Sequence, residues 1–173
     1  MNYFNGFALK NEEDFFKSYT VESDFCVAGF SYGAQKALEY ALNSTERIDR
    51  LILLSPAFFQ HQKSSFRRTQ LLYFKADQKA YTTQFLNNVA YPSNINLETC
   101  LTTGSHNDLD ALLSYIWDKD KILELLNRGV RIEIFMGEED KIVDSEKSFE
   151  FFSEVATVYL LKGVGHLLQP SHQ

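Results

Sequence analysis

The sequence predicts an α/β fold, a mostly parallel sheet of about five strands with a helical insertion above it. Three observations carry this expectation. Short apolar runs alternate with amphipathic segments, the pattern of parallel strands joined by crossover helices. One such run ends in Gly29-Phe30-Ser31-Tyr32-Gly33, directly ahead of a helix-like segment. Residues 57 to about 127 then hold helical patterns and aromatics without a convincing strand, which breaks the alternation and marks an insertion.

Taken in order, a short strand is expected near Tyr3–Phe4, followed by the loop Asn5-Gly6-Phe7. Glu12 to Ser18 suits a short helix, acidic in its first turn as the helix dipole prefers. A strand from about Asp24 to Phe30 feeds a helix from Ala34 to Leu42, which keeps Ala37, Leu38 and Ala41 on one face. Arg50 to Pro56 reads as a buried strand closed by its proline. Arg131 to Gly137 reads as another, and Ala156 to Leu161 as the last. A helix from Ser145 to Phe152, with Ser145 as its cap, separates those two.

The bulk numbers fit one domain over residues 1–173, long enough to bury a core. Apolar residues make up 45% and charged residues 23%, ordinary for a globular chain. Fifteen Phe, nine Tyr and one Trp exceed routine core needs and point to an apolar pocket or surface. The net charge of −6 argues against nucleic acid, whose phosphates want a basic face. Two cysteines, Cys26 and Cys100, make no disulfide framework, so a reducing compartment is expected. The opening residues lack a basic segment followed by a long apolar stretch, and no run reaches the ~20 apolar residues a membrane span needs. The expected location is cytoplasmic, with no membrane contact.

Residues 29–33 place a serine between two glycines. A turn from strand to helix this tight requires small residues two before and two after the serine, and it lifts the hydroxyl clear of the sheet. Such a nucleophile needs a base, and the base needs an acid to orient it. Of His61, His106, His166 and His172, His166 is preferred as the base. Gly163-Val164-Gly165 precedes it, and that flexible turn follows the last strand. His61 and His106 fall in the insertion, where solvated or capping roles are expected. His172 is set aside because chain ends fray. The acid should leave the preceding strand, and Gly137-Glu138-Glu139-Asp140-Lys141-Ile142-Val143 offers Asp140. Asp144, Glu138 and Glu139 stay open as alternatives. No His/Cys cluster has metal-ligand spacing and no dinucleotide or phosphate-loop motif occurs, so no cofactor is expected.

The three blocks Gly29–Gly33, Gly137–Val143 and Gly163–His166 resemble the signature blocks of the α/β-hydrolase superfamily, in its order of serine, acid and histidine. The resemblance spans residues 29 to 166. Members usually carry more strands ahead of the serine, so the chain resembles a shortened α/β-hydrolase with about five strands. The resemblance implies a first oxyanion donor from a Gly-bulky pair in an early loop. Gly6-Phe7 matches that pair, which makes the Phe7 amide the first donor and the Tyr32 amide the second. The opening Tyr3-Phe4-Asn5-Gly6-Phe7 and the phrase Gly29–Gln35 further resemble a compact subgroup, the Helicobacter-type pimelyl-acyl carrier protein methyl ester esterases of biotin synthesis. That resemblance implies hydrolysis of a carrier-bound pimelyl methyl ester to the free acid and methanol, with acyl carrier protein as the partner.

Local charge fits such a partner. Between residues 61 and 79, Lys63, Arg67, Arg68, Lys75 and Lys79 face the single acid Asp77, a local charge of +4 in an acidic chain. Acyl carrier proteins are strongly acidic, and a cationic face beside the site would steer one in. A solvated helix face would give the same pattern. Phe66, Leu71, Leu72, Tyr73, Phe74 and Tyr81 are interleaved there, suited to line a slot for a methylene chain or to pack the insertion on the sheet. The same serine, acid and histidine would serve a general carboxylesterase or an acyl thioesterase. A shortened front that had lost its oxyanion hole would instead leave an inactive protein that binds an acyl carrier.

Overall fold

A computed structural model describes residues 1–171, so His172 lies outside the described residues. Five strands form one sheet: β1 (Asn2–Phe4), β2 (Cys26–Phe30), β3 (Arg50–Leu54), β4 (Arg131–Gly137) and β5 (Thr157–Leu161). They lie side by side in sequence order and every neighbouring pair is parallel. Tyr3 pairs with Ala28, Ala28 with Ile52, Ile52 with Glu133, and Phe135 with Tyr159. All five strands therefore end at one edge of the sheet, where the loops after them converge.

Alternation along the strands divides the core into two faces. Val27, Leu51, Leu53, Ile132 and Ile134 point to one side, against α1 (Tyr32–Asn43), α5 (Lys119–Asn127) and α6 (Ser145–Phe152). Ala28, Phe30, Ile52 and Leu54 point to the other, against Phe16, Val89 and Leu168. Helix α1 owes its place to Ala34, Ala37, Leu38 and Ala41, which recur at helical spacing and are fully buried. Three more helices, α2 (Ser64–Ala76), α3 (Gln78–Ala90) and α4 (His106–Ser114), form a cap around a third cluster containing Phe7, Phe59, Phe74, Leu109 and Leu112.

Several local expectations change. Glu12 to Ser18 forms only a single 3-10 turn, Glu13–Phe16, shaped by burial of Phe16. Helix α1 begins at Tyr32, immediately after the serine. Asp144, and not Ser145, caps α6: its carboxylate accepts from the Lys147 amide at 2.9 Å. Ser145 is the first helical residue, and its hydroxyl donates to the Gly137 carbonyl at 2.9 Å. A carboxylate before the first turn both satisfies an orphan amide and meets the positive end of the helix dipole. The insertion also divides. Ile122 and Leu125 of α5 are buried in the sheet core against α1, so this helix is the crossover into β4 while α2–α4 stand above the strand ends.

Candidate active site

Ser31 sits between β2 and α1 with φ 54° and ψ −114°, a conformation an L-residue adopts only under constraint. The constraint is visible in the backbone around it. A Cβ at Gly29 would overlap the Gly33 carbonyl, and one at Gly33 would overlap the Phe4 carbonyl. Only glycine permits these approaches, so the turn closes tightly and the chain at residues 4–5 is held against the start of α1. Hydrogen bonds fix the rest: the Ser31 amide donates to the Leu54 carbonyl at 2.9 Å, and the Ser31 carbonyl accepts from Ala34 and Ala57.

Asp140 and His166 meet at the same sheet edge. His166 Nδ1 lies 2.6 Å from Asp140 Oδ2, with both side chains almost wholly buried. An ionised carboxylate only accepts, so Nδ1 carries the proton and Nε2 of the neutral ring offers its lone pair. That Nε2 is buried without a partner among the described residues. Asp140 is itself fixed, since its other oxygen accepts from the Ile142 and Val143 amides at 2.7 and 3.0 Å. The imidazole packs on Phe30, the neighbour of Ser31, with ring centroids 5.0 Å apart. The loops carrying acid and histidine are pressed together, for a Cβ on Gly137 would overlap the Gly165 carbonyl.

The other candidates are accounted for. Asp144 is the α6 cap, while Glu138 and Glu139 are exposed. His61 stacks on Phe58 at 5.5 Å, and His106 is an exposed residue of the first turn of α4, which Ser105 caps. Phe7 and Ser31 line one cavity of about 350 Å³ beneath the cap, within the size range of small-ligand sites. Phe59, Phe66 and Phe85 give it an apolar wall, and Gln70, Tyr81 and Asn88 add polar groups. The Phe7 and Tyr32 amides donate to no group among the described residues, and both residues border an adjoining groove. A larger open groove, about 880 Å³ between α3 and residues 94–104, contains neither Ser31 nor His166.

The cationic segment is less uniform than its sequence implies. Arg67 pairs with Asp110 at 2.6 Å, so its charge is engaged within the cap. Lys63, Arg68, Lys75 and Lys79 are exposed and form no ion pair among the described residues. Phe66, Tyr73 and Tyr81 do line the cavity, and Phe74 is buried in the cap cluster. Leu72 is 61% exposed and sits on the outer face, at helical spacing between Arg68 and Lys75. Among the described residues no cluster of three metal-ligating side chains occurs, and no helix is long and apolar enough to cross a membrane.

Ser55 was not singled out by sequence. It directly follows β3 with φ 41°, is buried, and its hydroxyl donates to the His166 carbonyl at 2.6 Å. The signal that could have found it is a serine placed between a buried strand and Pro56, at the same sheet edge as Ser31.

No protein-family model and no curated protein sequence matches the chain. Solved structures do. A bromoperoxidase from Bacillus anthracis is similar with a TM-score of 0.63 at 17% identity, over 83% of this chain and 60% of that one. An esterase from Exiguobacterium antarcticum gives 0.62 at 18%, over 82% and 59%. MenH from S. aureus gives 0.56 at 16%, over 95% and 85%. The chain thus spans about 60% of the length of the first two. It has the α/β-hydrolase fold, with a five-stranded parallel sheet.

Proposed function

We propose that this chain is a serine esterase that cleaves the methyl ester of a pimelyl chain carried on acyl carrier protein. The observation that carries the esterase reading is the pairing of two features at one sheet edge. Ser31 is held in a strained elbow at the cavity wall, and His166, oriented by Asp140, has a buried, unpartnered Nε2. Strain at a serine and an unsatisfied buried nitrogen both cost stability, and chemistry at the site accounts for both.

In this reading His166 Nε2 takes the Ser31 proton while Oγ bonds to the ester carbonyl carbon. The carbonyl oxygen gains negative charge and is met by the free Phe7 and Tyr32 amides. Collapse breaks the carbon–methoxide bond, and His166 returns its proton to release methanol. Water then attacks the acyl-serine with His166 again as base, freeing the carboxylic acid. Asp140 keeps the imidazole tautomer and balances the cation that forms. Esterases occur among solved structures of this fold, but a bromoperoxidase does too, so the reaction is argued from the site.

The substrate half of the proposal rests on the cap. An apolar wall of phenylalanines suits a methylene chain, and Arg68, Leu72 and Lys75 present cations around an exposed apolar residue on one face of α2. An acidic carrier complements that face. The test is mass spectrometry of carrier bearing pimelyl methyl ester, incubated with the chain or its Ser31→Ala variant. Loss of one methylene's mass with the carrier still acylated, by wild type alone, is expected. Bare carrier would make the chain a thioesterase, and unchanged carrier would overturn the carrier-bound substrate.

A further inference from the structure

Glu12 is an unusual residue to find fully buried. One carboxyl oxygen, Oε1, accepts from the Gly6 amide at 2.7 Å and lies 3.5 Å from the Tyr3 hydroxyl. The other, Oε2, is buried without a partner among the described residues. Neither a lysine nor an arginine pairs with it there. Its titratable neighbours are Tyr3 on β1, whose hydroxyl favours the carboxylate, and Glu13, whose negative charge opposes it. Gly6 also leaves no spare room: a Cβ there would meet the Phe30 ring at 2.9 Å, and Phe30 packs on both Phe16 and His166.

We infer that Glu12 is the positioning residue of the oxyanion loop, holding the Gly6 amide so that the next amide, that of Phe7, stays free and directed at the Ser31 cavity. The buried Phe7 ring, edge-on to Phe74 and Phe85, anchors the loop's side chain, and hydrogen bonds set its backbone. Beyond Gly6, its backbone hydrogen bonds among the described residues run from the Leu9 amide to the Gly6 carbonyl, from the Lys10 amide to the Cys100 carbonyl and from the Thr102 amide to the Ala8 carbonyl. Ala8 adopts φ 56°, so the peptide after Phe7 is turned sharply, and a small rotation at Gly6 would swing the Phe7 N–H away. A hydrogen-bond donor displaced by an ångström loses most of its value to a developing charge. Burial raises the carboxyl's pKa, with the Gly6 bond opposing, so the group is pushed toward its neutral form. What it gives the loop is an acceptor at a fixed reach, bonded to a backbone amide where Asp140 bonds to an imidazole.

This inference rests on the esterase reading, and three variants separate the two. The assay is hydrolysis of p-nitrophenyl butyrate, with kcat and KM read separately and the melting temperature measured in parallel. Glu12→Gln retains an acceptor at the same reach and is expected to keep kcat within about twofold. Glu12→Asp retains the acid but falls short of Gly6 by one methylene. It is expected to lower kcat about 10- to 100-fold with KM within twofold, part of the loss seen when an oxyanion donor is removed outright. Glu12→Ala should behave like Glu12→Asp. If Glu12→Ala does not fold, the Asp and Gln pair carries the comparison. Wild-type kcat in Glu12→Asp, or a loss equal in Gln and Asp that follows the melting temperature, would overturn the inference while the esterase reading stands. A folded wild type that neither hydrolyses the ester nor labels with a fluorophosphonate would overturn both.

Discussion

The Ser55 hydroxyl donates to the backbone carbonyl of His166 across 2.6 Å, joining two residues that are 111 positions apart. The bond fixes the turn that carries the imidazole, while Asp140 fixes the ring from its Nδ1 side. Replacing Ser55 by Ala strands a buried carbonyl, which costs about 1–3 kcal/mol in stability. It should also lower kcat roughly 10- to 100-fold with little change in KM, because the imidazole loses its anchor. Ser55→Gly relieves the positive φ and should still lose kcat, and steady-state kinetics of both variants checks this.

Asp140 and Asp144 should separate cleanly. Asp140→Asn reverses the donor and acceptor facing Nδ1 and should reduce kcat by about 10⁴-fold. Asp144→Asn keeps a good helix cap for α6 and should leave kcat near wild type. Rates on a small ester decide it, and the reverse ranking would move the acid to Asp144.

The exposed cations of α2 predict a substrate-dependent effect. Arg68→Glu with Lys75→Glu should raise KM for a carrier-bound ester about tenfold at low salt and leave a small free ester unchanged. Arg67→Glu should act differently, because it sets a carboxylate against Asp110 and so lowers the melting temperature. Equal changes in KM for both substrates would remove carrier docking from the account.

On α1, Glu39 accepts from Tyr115, the residue after α4, and from Lys121 of α5, each at 2.6 Å. Burial alone would raise its pKa, but these hydrogen bonds together hold it below the usual carboxylate value. A lowered folded pKa means the contribution is present at neutral pH and fades as pH falls through that lowered value. The melting-temperature gap between wild type and Glu39→Gln should accordingly narrow in acid. A gap that widened there would reverse the sign.

The strands and the elbow were legible because their signals are local. Alternating apolar runs mark β2 to β5, and Gly29 and Gly33 report a close backbone approach within five residues. That Asp140 and His166 come together was legible from their positions after successive strands. What was not legible depends on contacts made across the chain. Ser55 and Glu12 matter through bonds to His166 and Gly6 that no local spacing encodes. Arg67 and Arg68 are adjacent in sequence, yet among the described residues only Arg67 forms an ion pair, with Asp110 of α4. The helical pattern of α5 matches that of the cap helices, and only its burial against α1 assigns it to the sheet layer.

The most direct test of the central claim is covalent labelling by a fluorophosphonate, since only an activated serine reacts. The account predicts a single adduct per folded wild-type chain, mapped to the peptide containing Ser31. It predicts none in Ser31→Ala and much slower labelling in His166→Ala. A folded wild type that stays unlabelled, or a Ser31→Ala chain that labels as fast, would contradict it.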